Sequence, residues 1–168
     1  SASLYLFLIS IIDLKNQNFK WSQRISHLAF SILVISIIVN SIFSEEFSVN
    51  MKVGQKKIIS DSIINFEKIS KQEIDNYTSI KAEIEIEQNE NKLKFYPELR
   101  LYKTPETITS EADIKTNLFN DNLLVVNYLK DTDYLNIRYQ KKPFMLLIWI
   151  SAAMLSLGGI IGLRNKLK

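Results

Sequence analysis

The sequence predicts a membrane protein in which α-helical spans flank an all-β domain, an antiparallel barrel or sandwich. Three observations predict it. Two stretches carry no charged residue and reach spanning length, Ile25–Ser44 with 20 residues and Pro143–Leu163 with 21; a bilayer core of about 30 Å needs about 20 apolar residues at a rise of about 1.5 Å each. Between them, Glu45–Lys142 holds nearly all the charge and alternates apolar with polar residues, as half-buried strands do. Finally, 46% of the 168 residues are apolar and none is cysteine, which excludes a disordered chain, a disulfide framework and a thiolate metal site. Two apolar runs of this length also argue against a soluble globular enzyme.

Taken in order, Ser1–Ile12 is apolar but too short to span and has no basic leader before it, which argues against a signal peptide. Residues 1–14 therefore read as the truncated end of a transmembrane helix, and the chain as the C-terminal piece of something longer. Residues 15–24 form a loop with three basic residues, Lys15, Lys20 and Arg24, and the tail 164–168 carries Arg164, Lys166 and Lys168. Short basic flanks stay on the cytoplasmic side, so both are expected there. The spans are 25–44 and 143–163, and residues 45–142 are expected outside, in a periplasm-like space. The net charge of +3 sits beside the spans, while the middle block has 15 basic against 17 acidic residues. A mildly acidic domain repels phosphate backbones, so no nucleic-acid partner is expected; lipid is.

Within the middle block, Ile80–Glu87 alternates strictly, with Ile80, Ala82, Ile84 and Ile86 on one face and Lys81, Glu83, Glu85 and Glu87 on the other. Gln88–Lys92 makes a turn and Leu93–Tyr96 returns, which predicts a hairpin. After Pro97, Leu99 and Leu101 resume the period; Leu123–Leu129 is a denser run, and Tyr134–Gln140 alternates after a turn at Asp131–Asp133. Ile58–Ile69 holds two further short candidates behind a turn at Gly54, giving five to seven strands. Thr109–Asn117 reads as the one helical turn or loop. In the last span, Gly158 and Gly162 form a GxxxG, and Ala152 and Ser156 share the spacing; small residues so placed let a neighbouring backbone approach closely. Trp149, deep within that span, is expected to face a helix, and Lys141 and Lys142 at its outer end to reach for lipid headgroups.

No catalytic constellation is legible. The β block has neither histidine nor cysteine, so thiol catalysis and the usual zinc sites are absent from it. Glu83, Glu85 and Glu87 look like a metal comb, but at period two they line a solvated strand face. Glu98, Arg100 and Tyr102 share a strand face and form either an ion pair or a partner-binding patch. His27 is the single histidine and lies inside a span. Intramembrane ionisable residues suggest function by default, and neutral imidazole is a common haem ligand. From the residues alone, headgroup-level packing, haem ligation and proton relay all stay open for it.

A wider pattern bears on that choice. Ser26-His27-Leu28-Ala29-Phe30, an apolar run and Ser44-Glu45-Glu46 are followed by Asn76-Tyr77-Thr78, then Tyr96-Pro97-Glu98-Leu99-Arg100-Leu101-Tyr102, then Thr109-Ser110-Glu111-Ala112-Asp113-Ile114. Ile137-Arg138-Tyr139, Lys142-Pro143, Ile148-Trp149 and Leu157-Gly158-Gly159 complete the order. This set, over almost the whole chain, resembles the C-terminal region of the cytochrome c maturation protein CcmF family. It departs from the family's common Ala-His-Leu-Gly at Ser26 and Ala29, and from its Pro-Glu-Lys-Arg at Leu99.

The resemblance implies a multi-span subunit of the haem lyase that attaches haem to apocytochrome c outside the membrane. It implies that His27 is an axial ligand of haem b within the membrane, with the Trp-rich segment and the other haem-binding histidines upstream of Ser1. It further implies that the β domain docks a partner, among them the lyase subunit CcmH, the haem chaperone CcmE and apocytochrome c. The fragment would not be catalytic alone. The rival reading is a non-enzymatic membrane scaffold or sensor whose β domain binds a partner and in which His27 is incidental.

Overall fold

The computed structural model describes residues 2–15, 20–88, 91–130 and 132–166. These divide into two units, one within 1–44, 117–121 and 142–168, the other within 45–116 and 122–141. Residues 16–19 of the basic loop, the tip of the Gln88–Lys92 turn, Asp131 and Lys168 of the tail lie outside the described residues.

The first unit is helical. α1 covers Ala2–Lys15, α2 Trp21–Phe43 and α3 Met145–Lys166. At the start of α2, the Gln23 side-chain oxygen accepts the Lys20 backbone N–H at 3.1 Å, and Lys20 O accepts the Arg24 N–H at 3.1 Å. α2 and α3 have mean hydropathies of 2.1 and 2.2 over their most apolar windows, yet only 17% and 11% of those windows is buried. Both helices are long and apolar enough to cross a membrane, and most of their surface is uncovered by the other described residues. What they do bury is small: Ser22, Ala29, Ser31 and Ser36 on α2, Ser151 and Gly158 on α3.

Gly158 lies close against α2: a Cβ there would run into Ser26 Oγ and lie 3.3 Å from Ser22 O. At Gly162 it would meet Ser22 Cβ at an ordinary 3.6 Å, and at Gly159 nothing. The GxxxG face thus packs on the serine face of α2, as small residues at this spacing do in membranes. Asn40 Nδ2 donates to the Pro143 carbonyl at 2.7 Å near the opposite ends of the same helices. Phe144, at φ 58, turns the chain into α3 in the left-handed region, held by its N–H on Phe119 O at 2.7 Å. Trp149 is 66% exposed and does not face a described helix as expected.

The second unit is a β-sandwich, settling the choice between barrel and sandwich. β1 (Glu45–Met51), β10 (Leu135–Pro143), β9 (Asn120–Tyr128) and β8 (Asp113–Thr116) form a four-stranded sheet in that order. β2 (Lys56–Ile59), β3 (Ser62–Ile74), β4 (Tyr77–Gln88), β6 (Glu98–Lys103) and β7 (Glu106–Glu111) form the other, with β5 (Asn91–Phe95) on β4. The hairpin predicted from Ile80–Glu87 is β4–β5, closing at Gln88 opposite Asn91. β4 then carries β6 along its first half, from Tyr77 opposite Tyr102 to Lys81 opposite Glu98, and the Ala82 N–H on Pro97 O at 2.9 Å bridges the break between its two partners.

Alternation places the core. Met51, Leu124, Val126, Ile137 and Tyr139 of the four-stranded sheet pack against Ile64, Phe66, Ala82, Ile84, Ile86, Phe95 and Leu99 of the other. Burying such side chains contributes about 1.5–3 kcal/mol each before entropy is counted. Within the core, the Tyr139 hydroxyl donates to Asn122 Oδ1 at 2.8 Å, and burial, assisted by the Glu45 carboxylate, pushes that hydroxyl up to about 12.

Ten strands are described where five to seven were expected. Thr109–Asn117, read as a helical turn or loop, instead supplies the end of β7 and all of β8. These strands are polar and lie at the ends of their sheets. Nothing deep packs on them, so no apolar period marks them. Lys141 Nζ sits 3.6 Å from Glu45 Oε1 across the β1–β10 ladder.

Candidate functional site

His27 lies six residues into α2, about 9 Å along the axis at 1.5 Å per residue. The α1 residues Leu6, Ile9, Ser10 and Asp13 recur at spacings of three, one and three, which puts them on one helical face. All four line a cavity of about 440 Å³ that His27 and Phe30 close from α2 and Leu155 from α3. Apart from Ser10, Ser26, Ser31, the imidazole and one carboxylate, its lining is apolar.

That carboxylate is Asp13. Its Oδ2 lies 3.2 Å from His27 Nδ1. The Asp13 side chain is 15% exposed and that of His27 is 51% exposed. A neutral ring that donates its Nδ1–H to a carboxylate keeps its lone pair on Nε2. The same α1 face fixes the backbone of His27, because Ser10 Oγ lies 3.1 Å from His27 O as well as 2.8 Å from Leu6 O. One turn earlier, Arg24 Nη1 donates to Leu14 O at 3.2 Å. Ser31, four residues on from His27, donates to Leu28 O at 2.8 Å and is not the ring's Nδ1 partner.

Sequence reasoning from apolar runs and basic flanks misses Asp13. Its signal was available: it is the one acidic residue before Glu45 and follows an apolar run. A carboxylate in such a setting is costly to bury without a partner. One imidazole backed by a carboxylate, at a cavity that Leu6, Ile9, Phe30 and Leu155 also line, is a donor set that could hold a haem iron from one side. Among the described residues no three histidine, cysteine, aspartate or glutamate side chains gather as a metal cluster.

The candidates on the sandwich are engaged elsewhere. Glu83 meets Lys68 at 3.0 Å and Lys94 at 3.3 Å, and Lys92 pairs with Glu85 and Glu87 at 3.8 and 3.3 Å. The hydrogen bond from Lys68 holds the Glu83 carboxyl below its usual range. The acidic comb is therefore one side of a lysine–glutamate ladder across β3, β4 and β5. Arg100 bridges Glu98 at 3.3 Å and Glu111 at 3.5 Å and stacks over Tyr77, tying β6 to its neighbours. Burial raises the Glu98 carboxyl, but hydrogen bonds from Ser79 and Arg100 outweigh it and leave the group low.

Against known proteins, residues 42–143 match the family model described as the CcmF C-terminal beta-sandwich. The cytochrome c-type biogenesis protein CcmF of Pseudomonas aeruginosa is 25% identical over 147 residues, covering 87% of this chain and 22% of that protein. That of Haemophilus influenzae is 28% identical over 147 residues, covering 87% of this chain and 23% of that protein. The chain thus spans less than a quarter of the length of these relatives. A solved structure, the cytochrome c heme lyase CcmF, superimposes with a TM-score of 0.69 at 10% identity over 94% of this chain and 28% of that one, a likeness of fold. A sandwich matched as a family domain, set in chain order between two apolar helices as in that solved structure, makes the assignment: the chain belongs to the CcmF family of membrane proteins of cytochrome c biogenesis and carries its C-terminal region.

Proposed function

We propose that this chain is the haem-holding C-terminal part of a CcmF-type haem lyase subunit, with His27 as one axial ligand of a b-type haem in the membrane. The observation that carries the reading is the imidazole of His27 at an apolar cavity, its Nδ1 already held by Asp13. A neutral ring beside apolar side chains avoids the cost of placing a charge there, and Leu6, Ile9, Phe30 and Leu155 supply an apolar surface for a macrocycle. When bound, the haem supplies a redox-active iron whose potential the ligand and its hydrogen bonds tune. The chain's own part in the reaction is to bind and orient. The whole lyase joins haem vinyl groups to the cysteines of a Cys-x-x-Cys-His motif in apocytochrome c.

Short basic flanks at Lys15–Arg24 and Arg164–Lys168 support an inner-membrane topology with both on the cytoplasmic side and the sandwich in the periplasm. There the sandwich serves as the docking domain for apocytochrome c, the lyase subunit CcmH or the haem chaperone CcmE. The decisive experiment is His27→Ala in the full-length protein purified in detergent. The expected result is less bound haem or a shifted reduced spectrum, with impaired cytochrome c maturation. Wild-type haem content, spectrum and maturation together would leave the histidine incidental and favour a scaffold or sensor.

A further inference from the structure

His27 is held from α1 at its backbone and at its ring by one helical stripe. Ser10 reaches its carbonyl and Asp13, three residues on, reaches its Nδ1. A carboxylate only 15% exposed in an apolar helix is costly to keep unless it has a partner that justifies it, and here the partner is the single imidazole of the chain. We propose that Asp13 is the positioning residue of His27: its carboxylate accepts the hydrogen bond from Nδ1–H, fixes the ring in the Nδ1–H tautomer, and so assigns Nε2 to the iron. This rests on the ligand reading above.

The chemistry separates a carboxylate from any other neighbour. An amide at position 13 still accepts the proton through its carbonyl oxygen but carries no charge, whereas an aliphatic side chain leaves the ring to choose its tautomer. A carboxylate behind a ligating imidazole raises its basicity and fixes its orientation, and losing such a partner typically costs about 10–100-fold in metal affinity. A more basic ligand favours ferric over ferrous iron, so Asp13 holds the midpoint potential down. The electron-accepting poise of the haem is then set partly by α1, a helix that supplies no ligand.

Two measurements test this. In the 168-residue chain labelled with ¹⁵N-histidine in detergent micelles, every imidazole signal belongs to His27. The wild type should show the neutral Nδ1–H form, Asp13→Asn should retain it, and Asp13→Leu should shift the population towards Nε2–H. In the full-length haem-loaded protein, Asp13→Asn should keep its haem while the midpoint potential moves positive. Asp13→Leu should lose haem with about tenfold weaker affinity or more. Helical circular dichroism identifies a variant that fails to fold, and the asparagine variant then carries the test alone. An unchanged tautomer in Asp13→Leu, or an unchanged potential in Asp13→Asn, overturns the positioning role. If that happens while His27→Ala still loses haem, the ligand reading survives without it. If His27→Ala keeps its haem, the ligand reading fails and this proposal falls with it.

Discussion

Tyr139→Phe removes one oxygen from the sandwich interior and should cost less stability at alkaline than at neutral pH. Tyr139 is 2% exposed and its hydroxyl donates to Asn122 Oδ1 at 2.8 Å. Deleting the donor leaves a buried acceptor without that bond, which costs about 1–3 kcal/mol. Burial, then the Glu45 carboxylate, raises the hydroxyl from 10.0 to about 12. A raised folded-state pKa means that the folded protein keeps a proton the unfolded chain releases. Its contribution to stability is therefore full below pH 10 and is lost as pH rises towards 12, at about 1.4 kcal/mol per pH unit. Phenylalanine has no such proton, so the difference between the two proteins isolates this group from the lysines that titrate nearby. The test object is residues 45–142 expressed alone, whose twelve buried side chains form one cluster. Urea unfolding followed by sheet-type circular dichroism should find the variant less stable by about 1–3 kcal/mol at pH 8. At pH 11 the gap should be narrower by about 1.4 kcal/mol. An equal gap at both pH values would refute the reasoning, because a solvent-reaching hydroxyl gives no linkage.

The helical unit and the topology yield two more expectations. Gly158→Leu should weaken α2–α3 packing by about 1–3 kcal/mol, since any side chain there meets Ser26 and the Ser22 carbonyl; Gly159→Leu, which meets nothing, should leave thermal loss of helical circular dichroism in detergent unchanged. Equal effects at the two glycines would remove close approach as the reason for packing. Gln72→Cys, exposed near the end of β3, should react with an impermeant thiol reagent on intact spheroplasts while Asn165→Cys should not. The reverse pattern would invert the membrane topology and take the periplasmic docking role with it.

How far the fold was legible depended on how deeply each strand is buried. β4 buries Ala82, Ile84 and Ile86 and exposes Lys81, so its period of two was unmistakable, and so was its return through β5. β1 carries the same signal in Phe47, Val49 and Met51, with the last fully buried. It was overlooked because it begins straight after an apolar span. β7 and β8 had no such signal to find. A strand at the end of a sheet, with one neighbour and little above it, is selected by backbone pairing rather than by side-chain burial. The register of Leu101 opposite Ile108 exists only once β6 is in place. The long β3–β4 hairpin shows the opposite limit: Lys71, Gln72 and Glu73 pair with Ile80, Ser79 and Thr78 although their own side chains are exposed and polar.

The candidate site divides in the same way. His27 was legible because a lone imidazole within an apolar run is expensive and therefore conspicuous. Asp13 was not, although it obeys the same rule, because a charge near a helix end can be read as part of the adjoining loop. What distinguishes the two readings is helical phase. Leu6, Ile9, Ser10 and Asp13 form one stripe, and a stripe that ends in a carboxylate asks for a donor on the facing helix. The sequence contains a single histidine, 14 positions away, that could answer from inside a span. Two costly groups within reach of one short connection offset each other when paired and penalise the fold when apart. Pairing also does more than neutralise a cost. A half-exposed ring whose Nδ1 meets a carboxylate is ordered on that side by the helix that carries the carboxylate.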